Sequence, residues 1–488
     1  MDKNNTLSRY DLPLALRTFW DTAPGKFRLA AVVTAATCYC ALATRIRARY
    51  VYDLEEHALL LQVIILGEAG SGKSFTRPIV RQIMQPLKDM DSRQRRIETE
   101  YYEKRRRISR NKDLPPEPLT SVRCLQTITK AKLVKRADMF ARLYHEPMAF
   151  WFFNEELATM TDSNKRAFAD LNTMDRLAYD VGALYGSDAL CDASYNAEVD
   201  VIYCSLFCGT NNALNEYIGK QAVEGGNCTR KVLVRIDDDA IGDDAPVFRR
   251  QSDEERTLVE DTAQRLMDET YTPDGNGIRP QMHLDMQWMD DSVRQWCDQQ
   301  RVRVVKSGSR ALNCFYKRAS VSAWRMAVMA YHLWCGEQGV SDLAYDHFGQ
   351  PDGQTVLFGD NLEAADKAEE ECLRRRRKAQ VHTARFYRYM ADYILRGLLR
   401  QWGQRYEDLQ RETEEEGTTD RRTIFDQLPP RFTRDQLRLL ITQNRLNTPA
   451  RVFISKWKRM RLIRLEKDDP EIFAKHDAPE DDGTTPAG

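Results

Sequence analysis

One eight-residue stretch, Gly67-Glu68-Ala69-Gly70-Ser71-Gly72-Lys73-Ser74, constrains this chain more than any other feature. It matches G-x-x-x-x-G-K-[ST] at every fixed position. The residues before it, Leu61-Gln62-Val63-Ile64-Ile65-Leu66, are a short β-branched run bounded by glycine, the pattern of a buried strand. A helix is expected from about Ser74, with Pro78 tolerable only in its first turn. Strand, glycine-rich loop and helix in that order make an anion cradle. The glycines let backbone N–H groups turn inward, and the helix presents its positive end. All eight residues are therefore candidate ligands of a nucleoside triphosphate. Lys73 is expected to reach the β- and γ-phosphates and Ser74 to ligate magnesium, so the expected cofactors are ATP and Mg2+.

Three further strands are expected: Met148 to Phe153, Val199 to Cys208, and Lys231 to Ile236. Strands alternating with helices predict a mostly parallel sheet. Residues 9 to 56 read as helical with an apolar middle, and Leu29 to Ala43 as a buried helix. Residues 91 to 113 form a charged helical excursion with nine Lys/Arg against five Asp/Glu. An acidic loop, Asp237 to Asp244, precedes a mainly helical stretch in which 310 to 335 are strongly apolar and aromatic.

Hydrolysis of a phosphoanhydride needs an acid at the end of a strand near the loop, to activate water or hold the magnesium shell. Asn154-Glu155-Glu156 ends the second strand, so Glu155 is the candidate base, with Glu156 as its substitute and Asn154 as a neutral group orienting metal-bound water. The third strand ends in Gly209-Thr210-Asn211-Asn212, which makes Thr210 and Asn211 candidate γ-phosphate sensors; glycine and asparagine also favour turns. Glu224 to Arg230 leads into the fourth strand, and Arg230 is a candidate finger toward a neighbouring subunit's nucleotide. Arg310 and Arg318 are weaker candidates for a phosphate sensor in a lid.

The chain balances 73 Lys+Arg against 73 Asp+Glu, so overall charge names no partner. Local charge does. Residues 421 to 467 hold thirteen Lys/Arg and three Asp/Glu, a net of +10, which is an electrostatic footprint for nucleic acid. Phe432 and an N-cap at Thr433 precede Leu437, Leu440 and Ile441 at helical spacing. After a turn at Asn447-Thr448-Pro449, a second helix is expected with Val452, Phe453 and Trp457 inward. Arg451, Lys456, Lys458 and Arg459 point outward as the candidate DNA-binding residues. Leu462 to Leu465 reads as a strand. Helix, turn, helix, strand is the layout of a winged helix.

No run of about 18 apolar residues lacks charge, so no membrane span is expected. Eleven scattered cysteines without a C-x-x-C pair read as reduced core thiols of a cytoplasmic protein. Five segments follow: an N-terminal helical region (1–55), a P-loop ATPase core (56–240), a helical lid and linker (241–415), a winged helix (416–468) and a disordered tail (469–488).

Taken in order, Gly67 to Ser74, Phe153 to Glu156, Cys208-Gly209-Thr210-Asn211 and Glu224 to Arg230 resemble a primase–helicase-like P-loop ATPase family of Bacteroidetes phages and mobile elements. The resemblance covers roughly residues 20 to 340. It implies an AAA+-like α/β core similar to superfamily three helicases, with nucleotide sites between the subunits of a ring, a hexamer by expectation. It also implies DNA replication in a mobile element as the setting. The family's acidic dyad is Asn154-Glu155 here, and the chain shows no primase domain, so priming would require a separate partner. The expected function is an ATP-dependent DNA helicase or replication-initiation ATPase; the alternatives are an ATP-regulated DNA-binding switch or a protein-docking scaffold.

Overall fold

Gln62–Leu66 (β3) is buried at all five positions, as an apolar strand covered on both faces must be. It lies inside a sheet described here from a computed structural model. The structure describes residues 6–53, 56–108, 116–126, 130–159, 171–179, 184–187, 197–218, 226–236, 247–272, 275, 277–339, 362–410, 424–443, 449–459, 462–466 and 471–475. The expected acidic loop 237–244, residues Glu224 and Gly225, and the turn residues Asn447 and Thr448 fall outside them. The chain divides into two units, Met1–Tyr406 and Glu407–Gly488.

The first unit begins with α1 (Leu14–Thr22), α2 (Arg28–Leu42), β1 (Ile46–Arg49) and β2 (Glu56–Ala58), then β3. After the loop come α3 (Thr76–Ile83), α4 (Gln85–Arg107), β4 (Cys124–Leu125), α5 (Lys130–Tyr144) and β5 (Met148–Asn154). Next are α6 (Leu171–Leu177), β6 (Leu184–Ser187), β7 (Ala197–Gly209), α7 (Asn211–Tyr217) and β8 (Val232–Arg235). The last elements are α8 (Asp253–Asp268), β9 (Met282–Leu284), α9 (Asp290–Ser307), α10 (Arg310–Gln338) and α11 (Leu362–Leu398).

Five strands form a parallel sheet in the order β4-β5-β7-β3-β8. Register sets Leu66 beside Gly209 and Arg235, and Asn154 beside Phe207. The ends of β3, β5, β7 and β8 thus open on one edge, which is where the loop stands. β7 starts early, and its first residues pair antiparallel with β6. The four longer strands match the sequence expectation. β4, two residues long, carries no readable period.

Helix α2 is buried from Ala30 to Leu42, as a helix apolar all round must be. Pro78 falls in the first turn of α3, where its missing N–H costs nothing. Two boundaries differ from expectation. Ile46–Arg49 is a strand inside the supposed N-terminal helical region, paired with β2 and β9 because Ile46 and Ala48 bury on one side. The helices after residue 241 do not form a separate lid either. α10 is buried continuously from Ser322 to Cys335 and packs on α2 and α11, so it needs cover on every side.

In the second unit, a helical turn at 424–427 is followed by β10 (Arg431–Thr433), α12 (Arg434–Gln443), α13 (Ala450–Arg459), β11 (Ile463–Leu465) and β12 (Ile472–Lys475). The strands form an antiparallel sheet, β10-β12-β11. β12 lies in the range expected to be a disordered tail. Phe473 and Ala474 are buried there and Phe473 joins the core with Phe432 and Trp457, so this short apolar run completes the sheet. Thr433 caps α12 reciprocally with Gln436, each backbone N–H donating to the other side chain. Among the described residues no helix is long and apolar enough to cross a membrane.

Candidate functional site

The loop between β3 and α3 turns on Gly70 and Gly72, whose φ angles of 81° and 82° suit glycine. Gly67 is needed for a different reason. A Cβ there would lie 2.4 Å from Ser71 Oγ, inside the loop's own curl. The loop closes around its lysine: Lys73 Nζ donates to Gly67 O at 2.9 Å, Glu68 O at 2.5 Å and Ser71 Oγ at 3.3 Å. Gly67 N–H donates to Gly209 O at 3.2 Å and ties the loop to the end of β7. Beneath it Phe27, Phe75 and Phe248 pack ring on ring, with centroids 5.2 to 5.8 Å apart.

A cavity of about 770 Å³ opens over this loop. Gly70, Gly72, Lys73 and Ser74 line it from one side, and Asn154, Glu155 and Glu156 from the end of β5. The structure therefore brings the loop and the expected acid together. Glu155 is engaged: Arg77 Nε donates to both its carboxylate oxygens, at 3.0 and 2.9 Å, and Arg77 NH2 adds a third bond at 2.5 Å. That hydrogen bonding raises the Arg77 guanidinium further above its ordinary value. Asn154 is occupied locally. Its Nδ2 donates to Thr159 Oγ1 at 2.6 Å, and its Oδ1 accepts from Glu156 N–H at 2.9 Å. Cys208 also lines the cavity, and burial pushes its thiol up to about 11, so it is neutral and unreactive.

Thr210 and Asn211 lie beside the loop without lining the cavity. Thr210 caps α7, its hydroxyl accepting from Ala213 N–H at 3.3 Å. Asn211 Oδ1 accepts from Arg235 NH1 at 2.9 Å. Arg230 sits just ahead of β8, at the sheet edge opposite the loop, with its NH1 3.2 Å from Gly226 O and its guanidinium 5.7 Å from the Tyr179 ring. Arg318 is over the same ring, at 5.6 Å. Tyr179 O and Leu60 O, at the start of β3, both accept from Arg325 NH1, which places this cluster a full strand away from Lys73. Arg318 is thus excluded as a sensor for its own chain's phosphate loop, and Arg310 does not line the cavity.

Sequence reading overlooked Arg77, Gln126 and Thr159, which all line the cavity. Arg77 was findable, since it follows Lys73 by four residues and so shares its helical face. Gln126 was not, because it follows β4, a strand of only two residues.

In the second unit, Arg451, Lys458 and Arg459 are exposed on α13; Lys456 has a side chain outside the described set. Phe453, Ile454 and Trp457 point inward. Val452, expected inward, is 41% exposed. Ala450, Phe453, Ile454 and Trp457 already fill one face at i, i+3, i+4 and i+7, and Val452 falls off it. Lys458 Nζ lies 5.2 Å from the ring of Phe473 on β12.

The first unit is, then, an α/β fold with a five-stranded parallel sheet flanked by helices, compatible with a nucleotide-binding core. No model of a known protein family matches the chain, and no curated protein is significantly similar to it.

Proposed function

We propose that this protein is a P-loop ATPase acting on DNA, as a helicase or a replication-initiation ATPase of a mobile element. One observation carries the reading: Gly67–Ser74 curls at the end of β3 and shares a cavity with Glu155 at the end of β5. Lys73 and Ser74 are the groups to hold Mg-ATP, Lys73 by exchanging loop carbonyls for phosphate oxygens. Glu155 is the base that takes the proton of the attacking water. β7 lies between β3 and β5, so Thr210 and Asn211 follow the strand that separates the loop from the acid, although neither lines the cavity and Asn211 is turned to Arg235 on β8. This order supports the AAA+-like reading. Arg230, distant from its own loop, suits a role toward a neighbouring subunit in a ring, a hexamer by expectation.

The second unit supports DNA binding. A helical turn, a strand, two helices and two strands, with an antiparallel sheet ordered β10-β12-β11, fit a winged helix with basic residues exposed on α13. Priming would come from a separate protein.

The test is the ATP hydrolysis rate with and without single- and double-stranded DNA. Lys73→Ala and Glu155→Gln are each expected to bring it to background. Turnover undiminished in Lys73→Ala removes the assignment. A second reading, an ATP-regulated DNA-binding switch with slow hydrolysis, is favoured by Arg77 holding both oxygens of Glu155. Unwinding of a forked duplex separates the two.

A further inference from the structure

Beside the loop cavity lies a second one, of about 470 Å³, which shares Gln126 and Phe153 with it. Its walls carry four cations: Lys88 and Arg95 from α4, Lys132 and Arg136 from α5. Among the described residues only Arg136 has an ion-pair partner, Glu98, held through both terminal nitrogens at 2.8 and 3.0 Å. Arg136 is itself buried, and its Nε meets no acceptor there. Arg95 spends one N–H on Cys124 O at 2.8 Å. Cations gathered with too few counter-charges repel one another, and an anion relieves them. The floor is aromatic. Trp151 and Phe153 stack with centroids 6.5 Å apart and planes 5° from parallel, and Phe153 is half-buried.

Cationic walls over an aromatic floor suit a phosphate joined to a flat ring. We infer that this cavity receives a nucleotide of a single-stranded nucleic acid, its phosphate against Lys88, Arg95 and Lys132 and its base against Phe153. The shape of α4 favours a strand over a free nucleotide. The face that starts at Lys88 continues through Ser92, Arg95, Thr99, Tyr102 and Arg106, all exposed after Lys88. At 1.5 Å per residue this row of cations and hydroxyls is about 27 Å long and runs about 16 Å beyond Arg95, the last of it to line the cavity. A free nucleotide would need none of it. The inference deepens the DNA part of the proposed function and does not depend on ATP hydrolysis.

The test uses the full chain with fluorescein-labelled oligo-dT, read by anisotropy over a salt series, and with 5-iodouracil oligonucleotides for photocrosslinking. Lys88→Ala/Lys132→Ala should reduce the slope of log affinity against log salt by about 1.4, two phosphate contacts at about 0.7 each. Phe153→Ala should weaken binding about fivefold or more. Crosslinks should map to Phe153 or Tyr102 and persist in Arg451→Ala/Lys458→Ala, which probes only the basic second unit. They should also persist in Lys73→Ala, so loss of the ATPase reading and loss of this one are told apart. An unchanged slope in Lys88→Ala/Lys132→Ala overturns the inference, as do crosslinks confined to residues 407–488. Protection of Lys88 from amine labelling by thymidine monophosphate but not by oligo-dT also overturns it, assigning the cavity to a free nucleotide.

Discussion

Asp175→Asn is expected to destabilise the first unit by about 4 kcal/mol, through a buried ion pair at the sheet edge opposite the loop. Lys231 Nζ lies 2.5 Å from Asp175 Oδ2, and the two side chains are 1% and 2% exposed. Tyr217 OH donates to the same carboxylate oxygen at 2.7 Å, and Lys231 Nζ also donates to Gln62 Oε1 at 2.8 Å. Burial pulls the Lys231 ammonium below its ordinary value, and Asp175 works against that pull. Asparagine keeps the shape and removes the charge, so Lys231 must stay charged without a partner or give up its proton. Giving it up at pH 7.5 costs about 4 kcal/mol, roughly three units below an ordinary lysine at about 1.4 kcal/mol each. Breaking a buried pair from one side costs about 3–5 kcal/mol, in agreement. With an unfolding entropy of about 2.1 cal/mol/K per residue over about 400 residues, the midpoint falls by about 5 °C. Scanning calorimetry of the first unit's transition reads this. A neutral Lys231 is favoured as pH rises toward the unfolded lysine value, so the deficit should shrink between about pH 8 and 10. Asp175→Asn/Lys231→Met, without the stranded charge, should recover at least half of the loss. A shift under about 1 °C in the single variant, or a double variant no better than the single, refutes the reasoning.

Two other predictions concern the phosphate-loop side of the sheet. Burial pushes the Glu98 carboxyl up, but hydrogen bonds from Arg136 and Thr120 outweigh it and hold the group below its ordinary 4.5. A lowered folded value stabilises above the unfolded one and is lost as pH falls through the folded one, so Glu98→Gln should lower the melting midpoint above about pH 5 and the gap should narrow as pH falls below the ordinary 4.5; a gap that widens in acid would contradict the pair. Arg77→Ala frees Glu155 and should raise ATP turnover by no more than about fivefold, the ceiling for an exposed pair, in a coupled ATPase assay. A hundredfold fall would instead put Arg77 on the substrate.

What could be read in advance follows physical lines. β3, β5, β7 and β8 were legible because strands covered on both faces are unbroken apolar runs. The phosphate loop was legible because its glycines serve a backbone shape that few other residues allow. Residues joined by tertiary contact were hidden. The Asp175–Lys231 pair joins positions 56 apart, and nothing local to Lys231 marks it as buried. β12 was missed because charged and proline-rich neighbours mask Ile472, Phe473 and Ala474, whose burial depends on β10 and β11. A lid was expected after residue 241 because a helix-rich stretch gives no sign, residue by residue, of which unit it packs into.

Helix α2 bears on how the chain is made. It is synthesised, with apolar residues on every side, well before two of the strands it packs against, β7 and β8, which end at Gly209 and Arg235. At about 5–20 residues per second, nearly 200 more residues take roughly 10–40 s to synthesise. Throughout that interval the nascent chain carries a sticky helix covered only in part, by α1 and α3, ahead of an unfinished sheet. Biosynthesis of this protein should therefore depend on holdase chaperones, and codon changes that slow translation between Ala43 and Val232 should lower soluble yield without altering a single side chain.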